Sequence, residues 1–483
     1  MSRITPFAGY SFEKGKRTEF FEFLLFFVGL QLLLIDPFAF IGSTPVNKIG
    51  AVIGLVLIIL CISIKKGLIL KIYTSWSRRV LLLFLFFVLS EMLSYIRTNN
   101  FTLSEFNIYF KVIFSGLAIL LHIVFISSYS SYGIIKPKHA RKIFGVFIVG
   151  MMIFFLANSL LYFSMPPIFT RELRLKNFML GILGVDLIKS AFPLLPWHTY
   201  NVAILAGGTF TMSSILLLRK LEISARLKKL LWGTMSSSFI ILLLGDSRGV
   251  LLFSFLAIGL VFGAIQIRTI RHLRLLVVGL PFLQMLLFFS LKTVAESDLM
   301  PNLTRNEKSN ELLTGNSRLY IFEALWNDLR EPKLIHVYGY GEFGLYRNGA
   351  INEYAKYFGI TKESRKIWSS VAHNMFFNIL ICQGYIGAGI FLLFNFILLT
   401  QANYIFKHDP LIGTACLGFL AFHLLAGITD GGVALNIGYH PRLFMFIFIM
   451  IYHRSLQISA SYSNQPATHT TNSTHPSPAV FAN

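Results

Sequence analysis

The chain has 483 residues, of which 55% are hydrophobic and only 13% charged, and its mean hydropathy is +0.65. Soluble domains carry about a quarter charged residues, so a soluble enzyme is excluded and an all-α integral membrane protein is expected. The net charge of +21 sits in short basic clusters between apolar runs, where lipid headgroups and membrane topology account for it, so nucleic acid is not an expected partner.

Taken in chain order, residues 1–19 form a basic N-terminus with Arg3, Lys14, Lys16 and Arg17. The apolar run that follows is too long for a cleaved signal peptide and reads as the first span. Runs of roughly twenty apolar residues then predict nine transmembrane helices within 20–291, at about 20–40, 46–64, 80–96, 107–130, 143–164, 200–218, 230–244, 250–267 and 275–291. Three more follow within 375–452, at about 375–400, 411–428 and 436–452, which makes about twelve. The last stretch, 453–483, is rich in Ser, Thr, Asn, Pro and His and reads as a disordered cytoplasmic tail.

Alternate loops are basic. Lys65, Lys66, Lys71, Arg78 and Arg79 are followed by Lys136, Lys138, Arg141 and Lys142, then by Arg219, Lys220, Arg226, Lys228 and Lys229, then by Arg268, Arg271 and Arg274, and by Lys407. By the positive-inside rule these loops and both termini face the cytoplasm. The loop 165–199, the turn Gly245–Gly249 and the long polar segment 292–374 then face outward. Cys61, Cys382 and Cys416 all lie in apolar runs and read as small buried hydrophobes, with no disulfide framework and no metal spacing.

The segment 292–374 is long for a loop, and such loops are functional or disordered. This one has internal pattern. Asn316-Ser317 reads as a helix N-cap, Arg318–Arg330 as a helix with Leu319, Phe322, Leu325, Trp326 and Leu329 on one face, and Pro332 as its stop. Tyr338-Gly339-Tyr340-Gly341-Glu342-Phe343-Gly344 reads as a turn that brings backbone close to a neighbour. A small helical cap on the membrane face is expected.

Three places carry candidate chemistry. Gly245-Asp246-Ser247-Arg248-Gly249 offers a guanidinium on a tight outward turn, suited to phosphate or pyrophosphate, although an arginine near a span end also commonly snorkels to lipid. Arg318 lies in the first turn of the loop helix, where a cation opposes the helix dipole and an arriving anion would be welcome; pairing with a carboxylate such as Glu311 is the plain alternative. His373-Asn374 precedes a span with Gly384, Gly387 and Gly389, where an interfacial histidine can act as a base or simply as a polar anchor, and where the glycines would let another helix approach. His198, Glu91, Lys111, His122 and Asp430 are isolated; Glu91 and Lys111 could pair inside the bundle.

In this order and on this side of the membrane, Ser247-Arg248-Gly249, Ser317-Arg318, the glycine-rich turn and His373-Asn374 resemble the O-antigen ligase and polymerase superfamily, bacterial inner-membrane enzymes with a C-type glycosyltransferase fold. The resemblance implies transfer of a glycan from a polyprenyl-diphosphate carrier to an acceptor hydroxyl at the periplasmic face. It implies Arg248 and Arg318 on the diphosphate, His373 as the catalytic residue, and Ser247, Asn374, Gly339 and Gly341 in support. No cofactor and no metal are implied. The acceptor would be lipid A core in a ligase, a growing glycan in a polymerase, or a protein hydroxyl in related oligosaccharyltransferases. A polysaccharide transporter or flippase is the competing class; it predicts two similar halves and a charged midplane site, whereas here the notable polar residues cluster on one face.

Overall fold

The computed structural model describes residues 138–164, 177–185, 192, 199–219, 221–295, 318–341 and 374–428, with single positions between 25 and 93 and between 447 and 458. The described residues form helices and no strand. In chain order these are α1 (Lys138–Ser164), α2 (Phe178–Ile182), α3 (Thr199–Leu218), α4 (Ala225–Leu244), α5 (Arg248–Gln266), a 3-10 turn (Ile270–Arg274), α6 (Leu275–Ala295), α7 (Arg318–Leu329), α8 (Ile335–Tyr338), α9 (Met375–His408) and α10 (Pro410–Ala426).

Among them α4, α5, α9 and, over Phe147–Ser164, α1 are long and apolar enough to cross a membrane. The apolar stretch Val202–Leu218 of α3 and α10 are shorter. The first four expected spans and the last fall mostly outside the described residues, as does the polar tail. On α5 the exposed positions Leu252, Phe255, Leu256 and Leu260 recur at helical spacing, as do Ile153, Leu156, Leu160 and Phe163 on α1. Such outward apolar stripes suit a lipid surround.

At the centre is α3, buried over most of its length and packed against α4, α5 and α10. Its polar residues bond back along their own helix, Thr209 to Leu205 O and Thr211 to Gly207 O, which is how a hydroxyl is tolerated in an apolar interior. Gly207 is the meeting point of three helices. A Cβ there would lie 2.5 Å from Val250 of α5 and 2.7 Å from Phe422 of α10.

The far ends of the bundle are joined by charge. Asp409, fully buried between α9 and α10, accepts from Arg141 of α1 at 3.4 Å and from Arg454 at 3.0 Å. Arg219, at the end of α3, donates to Thr414 Oγ1 at 2.6 Å and Pro410 O at 3.3 Å and lies over the Phe406 ring. Arg141, Arg219 and Lys407, which the loop charges assign to one side, therefore share one end.

Helix α9 departs from the single straight span expected over 375–400. Its 34 residues would extend about 51 Å if straight, whereas the 17 residues of α10 rise about 26 Å. Yet α10 begins two residues after α9 ends, and Met375 N donates to Gly427 O, just past the end of α10, at 2.8 Å. Both ends can meet only if α9 doubles back. It does so at Gly384, whose φ of 71° and ψ of −169° lie outside the helical region. The nine-residue first limb, 375–383, is buried throughout.

Gly384 has no freedom to carry a side chain. Its φ favours glycine, and a Cβ would collide with the backbone of Val337, Tyr338 and Gly339. Gly384→Ala is expected to lower stability by about 2 kcal/mol or more. Gly389→Ala, in the same helix with nothing near its Cβ, should be neutral or stabilise slightly. Thermal unfolding of the two variants in detergent checks the contrast; equal melting temperatures would refute the assigned break.

Candidate active site

At the end of the bundle opposite Asp409, the α4–α5 turn is fixed from both sides. Gly245 closes α4 by bonding to Ile241 O, and Asp246 takes a left-handed φ of 47°. The Asp246 carboxylate accepts from Met179 N of α2 at 3.3 Å. In return Asn177, the N-cap of α2, donates to the terminal carbonyls of α4, Leu243 O at 2.8 Å and Leu244 O at 3.1 Å. This reciprocal lock satisfies carbonyls that a helix end leaves open. Ser247 does not cap α5; its hydroxyl donates to Gly245 O at 3.3 Å. Gly245, Asp246 and Ser247 are buried, and Arg248 follows them as the first, exposed residue of α5 rather than as part of a loop.

The start of α9 is equally constrained. Asn374 Oδ1 accepts from Phe377 N at 2.9 Å as an N-cap, and its Nδ2 donates to Ile428 O at 2.9 Å. Both halves of the amide are thus used structurally, at 1% exposure. His373 lies outside the described residues, one position before this fixed cap. Arg318 opens α7, as the sequence predicts; its side chain, like the Asn316-Ser317 cap pair, lies outside the description. Along α7 the buried face is Ile321, Phe322, Ala324 and Leu325, while Trp326, expected on that face, is partly exposed.

Two contacts orient α7 against the first limb of α9. The Phe322 and Phe377 rings lie 5.6 Å apart, and farther along Asp328 binds Tyr340, whose N–H donates to Ile381 O at 2.8 Å. The contacts occur in the same order along both helices, so the two run in the same sense. Their first turns, with Arg318 and Asn374, share one end. That end also holds Arg248, because Val250 and Phe422 meet at Gly207 just below Arg248 and below the α10 terminus that binds Met375. The backbone thus gathers the starts of α5, α7 and α9.

Gly339 and Gly341, which the resemblance implies in support of the substrate, have a defined backbone place. With φ of 79° and 86° they form a turn laid on the α9 break, where Tyr340 N and Gly341 N occupy the Ile381 and Cys382 carbonyls. The glycines of α9, in turn, admit this turn at Gly384 rather than a neighbouring helix; a Cβ at Gly387 would meet only Gln383, and Gly389 faces open space.

One polar cluster escaped sequence reading. Asp328 ends α7 and binds Lys333 Nζ at 2.7 Å and Tyr340 OH at 3.1 Å through Oδ1, and His336 Nε2 at 3.2 Å through Oδ2. Lys333 N donates to His336 Nδ1 at 3.3 Å, so Nε2 carries the proton offered to Asp328. Burial and then the Asp328 charge push the Tyr340 phenol up, and the same carboxylate raises Lys333, so both remain donors at neutral pH. A signal was available: an aspartate in the last turn of a helix opposes the dipole and asks for donors. Among the described residues no group of three His, Cys, Asp or Glu is placed to hold a metal.

Residues 233–392 match the family described as O-antigen ligase. This match over a third of the chain supports a relation to the O-antigen ligase and polymerase superfamily. The match runs from α4 through the Arg248 turn, α6, α7 and α8 and past the Gly384 break of α9, so the three gathered helix starts all lie inside it. No curated protein sequence matches the chain.

Asp328→Asn removes a charge-assisted acceptor from three donors and is expected to cost about 1–3 kcal/mol locally. Hydrogen exchange should report it at the Tyr340 and Gly341 amides, which are held on α9. Unchanged protection there would mean that Asp328 does not secure the turn.

Proposed function

We propose that this protein is a membrane glycosyltransferase that moves a glycan from a polyprenyl diphosphate to an acceptor hydroxyl at the outer face of the bacterial inner membrane, in the manner of an O-antigen ligase. The observation that carries this reading is that one family match spans three helix starts, those of α5, α7 and α9, which the packing gathers at one end. The twelve-span layout, with the segment 292–374 outside and the basic loops within, belongs to the same proposal.

In the proposed reaction the acceptor oxygen attacks the anomeric carbon, its proton passes to His373, and the bond to the diphosphate oxygen breaks. Negative charge accumulates on the departing diphosphate. Arg248 and Arg318, each at the first position of a helix, bring guanidinium charge and the positive end of a helix dipole to that place, so the proposed reaction requires no divalent metal. Asn374 holds the chain next to His373 by its two-sided cap, and Ser247 closes the turn that presents Arg248. The lipid A core is the proposed acceptor; a growing repeat-unit glycan is the alternative within the superfamily.

His373→Ala should leave membrane insertion intact and abolish transfer; near-normal transfer would sink the assignment. Arg248→Lys and Arg318→Lys keep charge but lose the bidentate fork, and each should cut transfer by an order of magnitude or more. Full activity in both would return them to surface charges. The lipopolysaccharide of a deletion strain separates the acceptors. Long glycans lacking a lipid A core indicate loss of a ligase, and core bearing a single repeat indicates loss of a polymerase.

A further inference from the structure

The short segment around α8 has two unlike faces. Its inner face is polar, with His336 and Tyr340 bonded to Asp328 and the exposed Lys333 reaching the same carboxylate from the rim. Its outer face carries Leu334, Val337 and Tyr338, all exposed, Leu334 by 77%. Three exposed apolar side chains within five residues make a patch of the kind that marks a membrane or partner contact.

The outer face is continuous with a surface already described. Val337 and Tyr338 adjoin Gly384, and His336 stacks edge-on to Tyr385. Tyr385 and Ile386, both exposed, are the next residues of α9, and exposed Leu393 lies two turns farther on the same side. Leu334, Val337, Tyr338, Tyr385, Ile386 and Leu393 therefore make one apolar strip. Its lower part belongs to a helix long and apolar enough to span the bilayer.

Lipid contact favours backbone donors that are satisfied within the protein, and six donors of this segment are. Lys333 N donates to His336 Nδ1, His336 N to Lys333 O and Val337 N to Leu334 O. Gly339 N donates to Ile335 O, Tyr340 N to Ile381 O and Gly341 N to Cys382 O. The last two also occupy carbonyls that the Gly384 break releases from the helix.

We infer that Leu334, Val337 and Tyr338 form a wedge covered by lipid acyl chains, a continuation of the bilayer-facing strip of α9 into the segment 292–374. The partner is the membrane itself. The wedge ties α7, through Asp328, to the lipid boundary, so Arg318 is held at a fixed place relative to the membrane surface.

The test uses the full chain reconstituted in vesicles of phosphatidylethanolamine and phosphatidylglycerol. A photoreactive benzoylphenylalanine is placed singly at Leu334, Val337, Ile386 and Glu323, the last being exposed on α7 and serving as the water-facing control. Lipid adducts at 334 and 337 should match those at 386 and exceed those at 323 several-fold. Adduct levels at 334 and 337 equal to those at 323, with 386 labelled, would overturn the wedge in favour of a water-facing loop. A crosslinked pair of chains at 334 or 337 would overturn it in favour of a contact between copies. Replacement at so exposed a position leaves the fold undisturbed, and thermal unfolding of the labelled chain verifies this.

Discussion

Two glycines meeting backbone to backbone govern the geometry of the candidate site. Gly339 and Gly384 approach so closely that a Cβ on either would strike the other's main chain, and both hold positive φ. Around that contact α9 reverses, the Ile381 and Cys382 carbonyls find donors, and the first limb of α9 returns to the end of α10. With a straight α9, Met375 would stand about 25 Å beyond Gly427 and the start of α9 would leave the starts of α5 and α7. The site is therefore built by a bend, and the bend is held by a loop.

The two ends of the bundle are secured by different physics. At one end a buried carboxylate, Asp409, is shared between two arginines, an arrangement whose disruption is costly because it strands charge in an apolar setting. At the other end caps and backbone bonds predominate: Asn177 on the α4 carbonyls, Asp246 on Met179 N, Asn374 on Ile428, Met375 on Gly427. The contrast fits the proposed chemistry. A helix start held by backbone and amide bonds keeps its first turn in a fixed place for an arriving diphosphate.

Much of this was legible from composition and spacing, and the exceptions have physical reasons. Apolar run length marks α3, α4, α5 and α6 to within a few residues, because each is one continuous helix through its apolar run. The helix from Arg318 was legible through its periodicity and Pro332. Gly384 was visible as a glycine but not as a reversal, since its role depends on a partner turn some forty residues upstream and on the length of α10. The α8 cluster was missed because its four members come from a helix end, a turn and a loop, with no motif spacing to join them. Trp326 was assigned to the wrong face because helical phase alone does not say where the neighbouring helix stops. The two-sided cap made by Asn374 was not legible, because one of its bonds goes to Ile428, fifty-four residues away.

The bond from Met375 to Gly427 also has a temporal side. During synthesis the 375–383 limb leaves the ribosome well before the end of α10, and nine residues cover only about 14 Å, too short to span a bilayer unaided. Until α10 is made, this limb has no terminus to bind and its Asn374 cap has no Ile428 to hold. The end of the bundle that gathers the three helix starts is accordingly completed late in biogenesis, so partly made chains embedded in the membrane would lack an assembled site.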